Sequence, residues 1–334
     1  MGRAEAVRVL IVKLSSLGDV VHAMPVVHDI RQAYPGAWID WVAEPAFAPL
    51  LRRVDGLGDV IECALRRWRR AWWRRSVRAE WHQFRERLQR SRYDKVIDLQ
   101  GLTKSAVIAR LANGVSYGLA NRTEGSSFEA PARWLVDHGI RIAPHVHALD
   151  RSRKLAARAL NYVIDGPPIF GLRPAATSTP VCEPILVLAH GSSRCDKLWP
   201  EASWIEIGRR ALRQGWHIAL PRTGPIESER AMRIAAALGA AVQVWPELAL
   251  DTLLEQMSAA QGVIGVDSGL SHIAVALDLP HVQIYNFPTA WRTGPQPAHG
   301  NRHQVCVQSD ALPSVDTVWD AWVNVIVRPR RGSS

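Results

Sequence analysis

The chain has 334 residues, 47% of them hydrophobic and 22% charged, a globular composition that excludes a disordered protein and is long enough for two domains with their own cores. Its four cysteines, Cys63, Cys182, Cys195 and Cys306, are scattered without a CxxC pair, which argues against a disulfide framework or zinc ribbon and for a reducing compartment. The formal net charge of +10 is concentrated: residues 66–92 hold eleven arginines against two glutamates, together with Trp68, Trp72, Trp73 and Trp81, so one basic, tryptophan-rich element is expected to meet something anionic.

In chain order, Val7–Val12 reads as a buried strand, followed by a Ser-Ser-Leu-Gly-Asp turn and one helix over Val20–Ala33 that Tyr34-Pro35-Gly36 ends. Trp38–Val42, Val60–Leu65 and Lys95–Leu99 read as strands, with helices around Phe47–Arg53 and Arg74–Arg90. A stretch rich in Pro, Ala, Ser and Thr from Gly166 to Pro184 is the linker candidate. Strands follow at Ile185–Ala189, His217–Leu220, Val242–Val244, Gly262–Val266 and His281–Tyr285. Between them lie helices around Ala202–Gln214, Glu227–Leu238, Leu250–Ala259 and Leu270–Ala276, and a last one spans Val315–Val327. Strand–helix alternation in both halves predicts two α/β domains with parallel sheets, and ligands at the carboxyl ends of the strands, in a cleft shared by both. No run approaches the roughly 18 apolar residues of a membrane span, and the apolar stretch before Lys13 is too short for a secretory signal. A cytoplasmic protein is expected, with any membrane contact made by its surface.

The usual dinucleotide and P-loop glycine fingerprints are missing, and no Asp-x-Asp, HExxH or zinc-spaced cluster occurs, so neither a metal nor another cofactor is expected. Four loops remain, each directly after a predicted strand. In Lys13-Leu14-Ser15-Ser16-Leu17-Gly18-Asp19, small residues at a helix start suit an anionic ligand, and Asp19 reads either as a helix cap or as a base for a substrate hydroxyl. Asp267-Ser268-Gly269-Leu270-Ser271-His272 again opens a helix, as a plain cap or as a diphosphate site. In His190–Pro200, Ser192 and Ser193 offer hydroxyls to phosphate, and Lys197 offers a charge for a departing diphosphate. Glu227, after Thr223-Gly224-Pro225, reads as a ribose-diol ligand or a helix-dipole carboxylate.

With VLIVKLSSLGDVVHAMP at Val9–Pro25, RRWRRAWW at Arg66–Trp73, YDKVIDLQGLTKSA at Tyr93–Ala106, KLWP at Lys197–Pro200 and VDSGLSHIAVALDLP at Val266–Pro280, the chain resembles the bacterial lipopolysaccharide heptosyltransferases nearly end to end. The resemblance implies a GT-B fold with an acceptor domain over residues 1–170 and a donor domain over 171–334, the last helix being the element able to pack back on the first domain. It implies an inverting transfer of L-glycero-D-manno-heptose from ADP-L-glycero-β-D-manno-heptose to the first Kdo of Kdo2-lipid A. The second-heptose reaction and a non-catalytic nucleotide-sugar or nucleic-acid module are the alternatives. Carried over by motif, Asp19 is the base and Lys197 stabilises the leaving ADP. Ser192, Ser193, Glu227, Leu248, Asp267, Ser268, Gly269, Leu270 and His272 bind the donor. Lys13, Ser15, Ser16, Gly18, Arg66, Arg67, Arg69 and Arg122 face the acceptor, and Cys195 has no assigned role. The basic segment is expected to touch the acceptor and the inner leaflet of the cytoplasmic membrane, on its cytoplasmic face, in preference to nucleic acid.

Overall fold

The computed structural model describes residues 7–174, 184–296 and 303–327, so Cys182 and most of the expected linker lie outside the described residues. The chain divides into two units, Met1–Arg173 and Pro174–Ser334. The boundary falls slightly later than residue 170 because the segment after it is tied to the first unit: Leu172 forms an antiparallel bridge with Val54, and Arg173 pairs with Asp55 at 3.2 Å.

In the first unit, β1 (Arg8–Val12), β2 (Trp38–Ala43), β3 (Val60–Glu62), β4 (Tyr93–Asp98), β5 (Gly114–Leu119) and β6 (His138–Ile140) form one parallel sheet in the order β3-β2-β1-β4-β5-β6. Val9 to Val12 are fully buried without alternation, as a central strand covered on both faces requires. The second unit repeats the plan with β7 (Ile185–Ala189), β8 (His217–Leu220), β9 (Val242–Val244), β10 (Gly262–Val266), β11 (His281–Tyr285) and β12 (Gln304–Gln308), ordered β12-β11-β10-β7-β8-β9. Each sheet thus runs outward in both directions from its first and fourth strands. The loops leaving that pair turn to opposite faces and open a crevice at the carboxyl edge, between β1 and β4 in one unit and β7 and β10 in the other.

Local differences from the expected elements have plain causes. The helix expected over Val20–Ala33 is two, Leu17–Ala23 and Pro25–Ala33, because Pro25 has no N–H for the ladder. The strand expected to reach Leu65 stops at Glu62, and Leu65 opens a short helix, Leu65–Arg70. The final helix, Val315–Ile326, packs on β11, β12 and the Glu201–Arg213 helix, with Trp322 fully buried in the core of the second unit. Within the basic segment, Trp68 is a core residue against Trp81 and Phe84, its indole N–H donating to Glu80 at 2.8 Å. Only Trp72 (49%) and Trp73 (72%) of the four tryptophans are exposed.

Candidate active site

The turn after β1 is held by both side-chain and backbone bonds. The Trp41 indole donates to the Lys13 carbonyl at 3.1 Å, and the Glu44 amide to the Leu14 carbonyl at 3.1 Å. Ser16 caps the Leu17–Ala23 helix, and Asp19 completes the capping box: its Oδ2 accepts from the Ser16 amide at 3.2 Å and hydroxyl at 2.9 Å. Asp19 is therefore not the cap itself, and its side chain stays 40% exposed. Lys13, expected toward the acceptor, is instead only 3% exposed; its ammonium donates to the Leu99 carbonyl at 3.2 Å and lies 3.7 Å from Asp19 Oδ1. A lysine so placed sets the charge around Asp19. Burial pushes the Asp19 carboxyl up, but Lys13, the two Ser16 donors and Arg151 outweigh it and hold the group well below the usual carboxylate range. Burial in turn lowers the Lys13 ammonium, against the opposing pull of Asp19.

Ser15 is buried, Ser16 exposed and Gly18 half-buried on the same turn. Beside it, at the ends of β2 and β3, a concavity of about 500 Å³ is lined by Glu44, Arg66, Arg67 and Arg70 among others. Arg66 is exposed, 3.7 Å from Glu44. Arg67, also expected toward the acceptor, is exposed and pairs with Glu80 through two bonds of 3.1 and 2.5 Å, which brace the Leu65–Arg70 helix against the next one. Arg69 and Arg122 are exposed.

In the second unit, the Lys197 ammonium donates to Asp267 Oδ2 at 2.6 Å. The other Asp267 oxygen faces His272 Nε2 at 3.4 Å and accepts from Thr293 at 3.4 Å. Burial raises the Asp267 carboxyl, yet His272 and Lys197 hold it far below its ordinary value. Ser192 donates to the Asp267 carbonyl at 3.4 Å, which ties the loop after β7 to the loop after β10. Ser268 caps the Gly269–Ala276 helix; its hydroxyl is buried and has no hydrogen-bond partner among the described residues. The amides of Gly269 and Leu270 lie in the first turn, where an N-terminus favours anions. Glu227 is half-buried, accepts from the Thr223 amide at 3.2 Å, and is raised by burial. It lies so close to Gly191 that a Cβ there would meet Glu227 Oε1 at 1.6 Å. Ser193 and Cys195 are exposed, and Leu248 is half-buried in the loop after β9.

The fold thus gathers Lys13, Ser16 and Asp19 at one crevice and Ser192, Lys197, Asp267 and His272 at the other. Four residues without a role in the sequence reading join them. Gln100 follows β4 and binds the turn after β1; Arg151 faces Lys13 and Asp19 from the Ala148–Leu160 helix. Thr293 supports Asp267, and Asn286 donates to the Asp196 and Leu198 carbonyls at 3.1 and 3.0 Å, fixing the loop that carries Lys197. The available signal was polar residues directly after a strand, which Gln100 and Asn286 both satisfy. Among the described residues no group of three or more His, Cys, Asp or Glu converges as a metal site would require.

Two doubly wound units, each with a charged cluster at its crevice, are the architecture of the GT-B fold, and the family match makes the chain a glycosyltransferase of that fold. The chain belongs to glycosyltransferase family 9 (heptosyltransferase), which it matches over residues 81–319. It is 39% identical over 305 residues to lipopolysaccharide heptosyltransferase 1 of Escherichia coli (strain K12), covering 90% of this chain and 93% of that one. To lipopolysaccharide heptosyltransferase 2 of Salmonella typhimurium (strain LT2) it is 26% identical, covering 83% and 82%. The solved structure of the E. coli heptosyltransferase WaaC with ADP superposes with a TM-score of 0.83 at 35% identity, covering 94% of this chain and 98% of that one.

Proposed function

We propose that this heptosyltransferase moves L-glycero-D-manno-heptose from ADP-heptose to the first Kdo of Kdo2-lipid A, with inversion at the anomeric carbon. The observation that carries the reading is the division of labour between the crevices: an ionised, partly exposed carboxylate in one, and a cationic, amide-lined helix start in the other. In the step itself, the acceptor hydroxyl gives its proton to Asp19 as its oxygen bonds to the anomeric carbon. The bond from that carbon to the β-phosphate oxygen breaks, and its electron pair leaves with ADP. Lys197, His272 and the Ser268–Leu270 amides stabilise the charge developing on the diphosphate. Ser192, Ser193, Glu227 and Leu248 hold the rest of the donor, and Arg66, Arg69 and Arg122 face the anionic acceptor. The greater identity to heptosyltransferase 1 than to heptosyltransferase 2 favours the first-heptose reaction. We assign the protein to the cytoplasmic face of the inner membrane, as a peripheral protein, on the exposed Trp72 and Trp73 amid exposed arginines.

The test is ADP release from ADP-heptose with Kdo2-lipid A, or with the same acceptor already bearing one heptose, by the intact chain and by Asp19→Asn. Turnover on the bare acceptor that falls about 10²–10⁴-fold in the variant, with ADP binding retained, is the expected result. Turnover only on the heptosylated acceptor assigns the second-heptose reaction instead, and an unchanged rate in Asp19→Asn removes it as the base.

A further inference from the structure

We infer that Gln100 is the positioning residue for the Asp19 base. The inference rests on the role of Asp19 proposed above. Gln100 stands just past β4, across the crevice from the turn after β1. Its Oε1 accepts from the Leu14 amide at 2.8 Å and the Ser15 amide at 3.2 Å, while its Nε2 donates to the Ser15 carbonyl at 2.6 Å. One side-chain amide thus satisfies three backbone groups of two adjacent residues of the turn. The next residue, Ser16, holds both the Asp19 carboxylate and the start of its helix.

The chemistry of the contact selects glutamine. The turn presents two N–H donors and one carbonyl, so its partner must accept and donate from one rigid head. A carboxylate offers no hydrogen to the Ser15 carbonyl, and an asparagine head stops one methylene short. Gln100 is itself fixed from behind. Its amide donates to Asp98 Oδ1 at 2.9 Å, the Gly101 amide reaches the same oxygen at 3.3 Å, and the Ser105 hydroxyl donates to Asp98 Oδ2 at 3.0 Å. Asp98 is 1% exposed, so this anchor does not compete with water. Gly101 sits at φ +76°, a left-handed conformation that lets the chain leave β4 sharply and aim the glutamine at the turn. The line of contacts runs Asp98, Gln100, Ser15, Ser16, Asp19. It does for the base what the second partner of a catalytic group does elsewhere: it fixes where the proton acceptor stands.

The experiment compares the intact chain with Gln100→Ala and Gln100→Glu, each checked for cooperative unfolding, using ADP-heptose and Kdo2-lipid A. Both variants are expected to lose roughly 10–100-fold in kcat near neutral pH, the scale for a reacting group misplaced by about 1 Å. The Kd for ADP is expected to stay within about two-fold, because the ADP-facing groups lie on other loops. The acid limb of kcat moves to higher pH in Gln100→Ala as Asp19 loses the Ser16 donors that keep it ionised. In Gln100→Glu, protonation of the introduced carboxyl restores one donor and one acceptor, so kcat relative to Gln100→Ala rises as pH falls toward about 5. Asp98, pushed up to about 6 by burial, titrates in the same window but is common to both variants and cancels in their ratio; a rise in that ratio while the unfolding midpoint and the Kd for ADP stay level separates positioning from a purely structural role. The inference is overturned if folded Gln100→Ala or Gln100→Glu keeps the kcat and pH profile of the intact chain, or if ADP affinity falls in step with kcat. Should Gln100→Ala not fold, the pH dependence of Gln100→Glu decides alone. If Asp19→Asn keeps its rate, the base assignment has failed; if Asp19→Asn is inactive and the Gln100 variants are not impaired, only the positioning role has failed.

Discussion

Replacing Lys197 with alanine tests the proposed donor crevice through two separate readouts. The ammonium lies 2.6 Å from Asp267 Oδ2, and the two side chains are 21% and 6% exposed. Truncation strips Oδ2 of its nearest cation, while His272 and Thr293 still face Oδ1. The stability cost is therefore that of one charge-assisted bond at a partly screened site, about 1–3 kcal/mol, and not the larger cost of an orphaned buried charge. At roughly 2–4 °C per kcal/mol for a unit of this size, the thermal transition of the second unit should fall by several degrees. The sign with pH follows from Asp267. Its folded carboxyl titrates below the unfolded value, so its stabilisation is complete above about pH 4 and is lost as pH falls through the lower folded value. The gap between the intact chain and the variant should be constant from neutral pH down to about pH 5 and close in stronger acid. Catalysis should suffer more than stability. Loss of a preorganised charge at a leaving group costs about 10²–10³-fold in kcat, with weaker ADP binding by calorimetry. Intact kcat and ADP affinity would remove Lys197 from the mechanism. A stability gap that widens in acid would refute the argument from Asp267.

Three further outcomes follow from the packing. Gly191→Ala would force a Cβ to within 1.6 Å of Glu227 Oε1, so Glu227 must move; ADP affinity should fall about ten-fold or more in calorimetry, and an unchanged Kd denies Glu227 a place in the donor site. Arg153→Met breaks a bidentate pair with Asp29, 2.7 and 2.8 Å long between side chains 5% and 2% exposed; denaturant unfolding should report a loss of about 3–5 kcal/mol in the first unit, most of it recovered when Asp29→Leu is added. Trp72→Ser with Trp73→Ser should weaken co-sedimentation with anionic phospholipid vesicles while leaving the rate on a deacylated, soluble Kdo acceptor unchanged; undiminished vesicle binding rules out these indoles as the membrane contact.

What the sequence disclosed depended on how strongly each segment signals its burial. The second-unit strands β7 to β11 are found where the apolar runs lie; the signal is clearest in the central pair β7 (ILVLA) and β10 (GVIGV), buried on both faces, and thinnest in the edge strand β9 (VQV), which is only partly buried. Strands β5, β6 and β12, with GVSYGL, HGI and QVCVQ, lie at or next to a sheet edge and were not anticipated: they are partly exposed, so their composition carries little of that signal. Trp68 shows the opposite failure. Its arginine-rich surroundings suggested a surface, but a helix that buries one face hides its tryptophan among exposed charges, and Glu80 satisfies both the indole and Arg67. The burial of Lys13 was hidden for a related reason. A lysine beside a catalytic loop looks like a ligand for an anion, and only the tertiary fold reveals that its nearest carboxylate belongs to the same turn.

The two crevices explain why some site residues could be read and others not. Asp19 and Lys197 lie on the segments that follow the first strand of their sheets, Asp19 in the first turn of its helix, and Asp267 on the loop after the fourth; each segment combines glycine or serine with a charged group, a local pattern that a sequence displays directly. Gln100 also follows a fourth strand, but its partners are backbone atoms 85 and 86 residues earlier, and a glutamine bonded to a main chain leaves no charge pattern. The strand order supplies what the pattern lacks. Once β1 and β4 are known to be neighbours, whatever follows β4 must face whatever follows β1, as the loop after β10 faces the loop after β7. In the second unit that pairing joins Lys197 to Asp267 through an ion pair; in the first it joins Gln100 to the turn that carries Asp19. The same topological position thus carries charge where a diphosphate is proposed to leave and a neutral amide where a base is proposed to be held. A cation in place of Gln100 would deepen the already strong hold of Lys13 on Asp19 and make it a weaker proton acceptor, which is a physical reason for the amide to stand there.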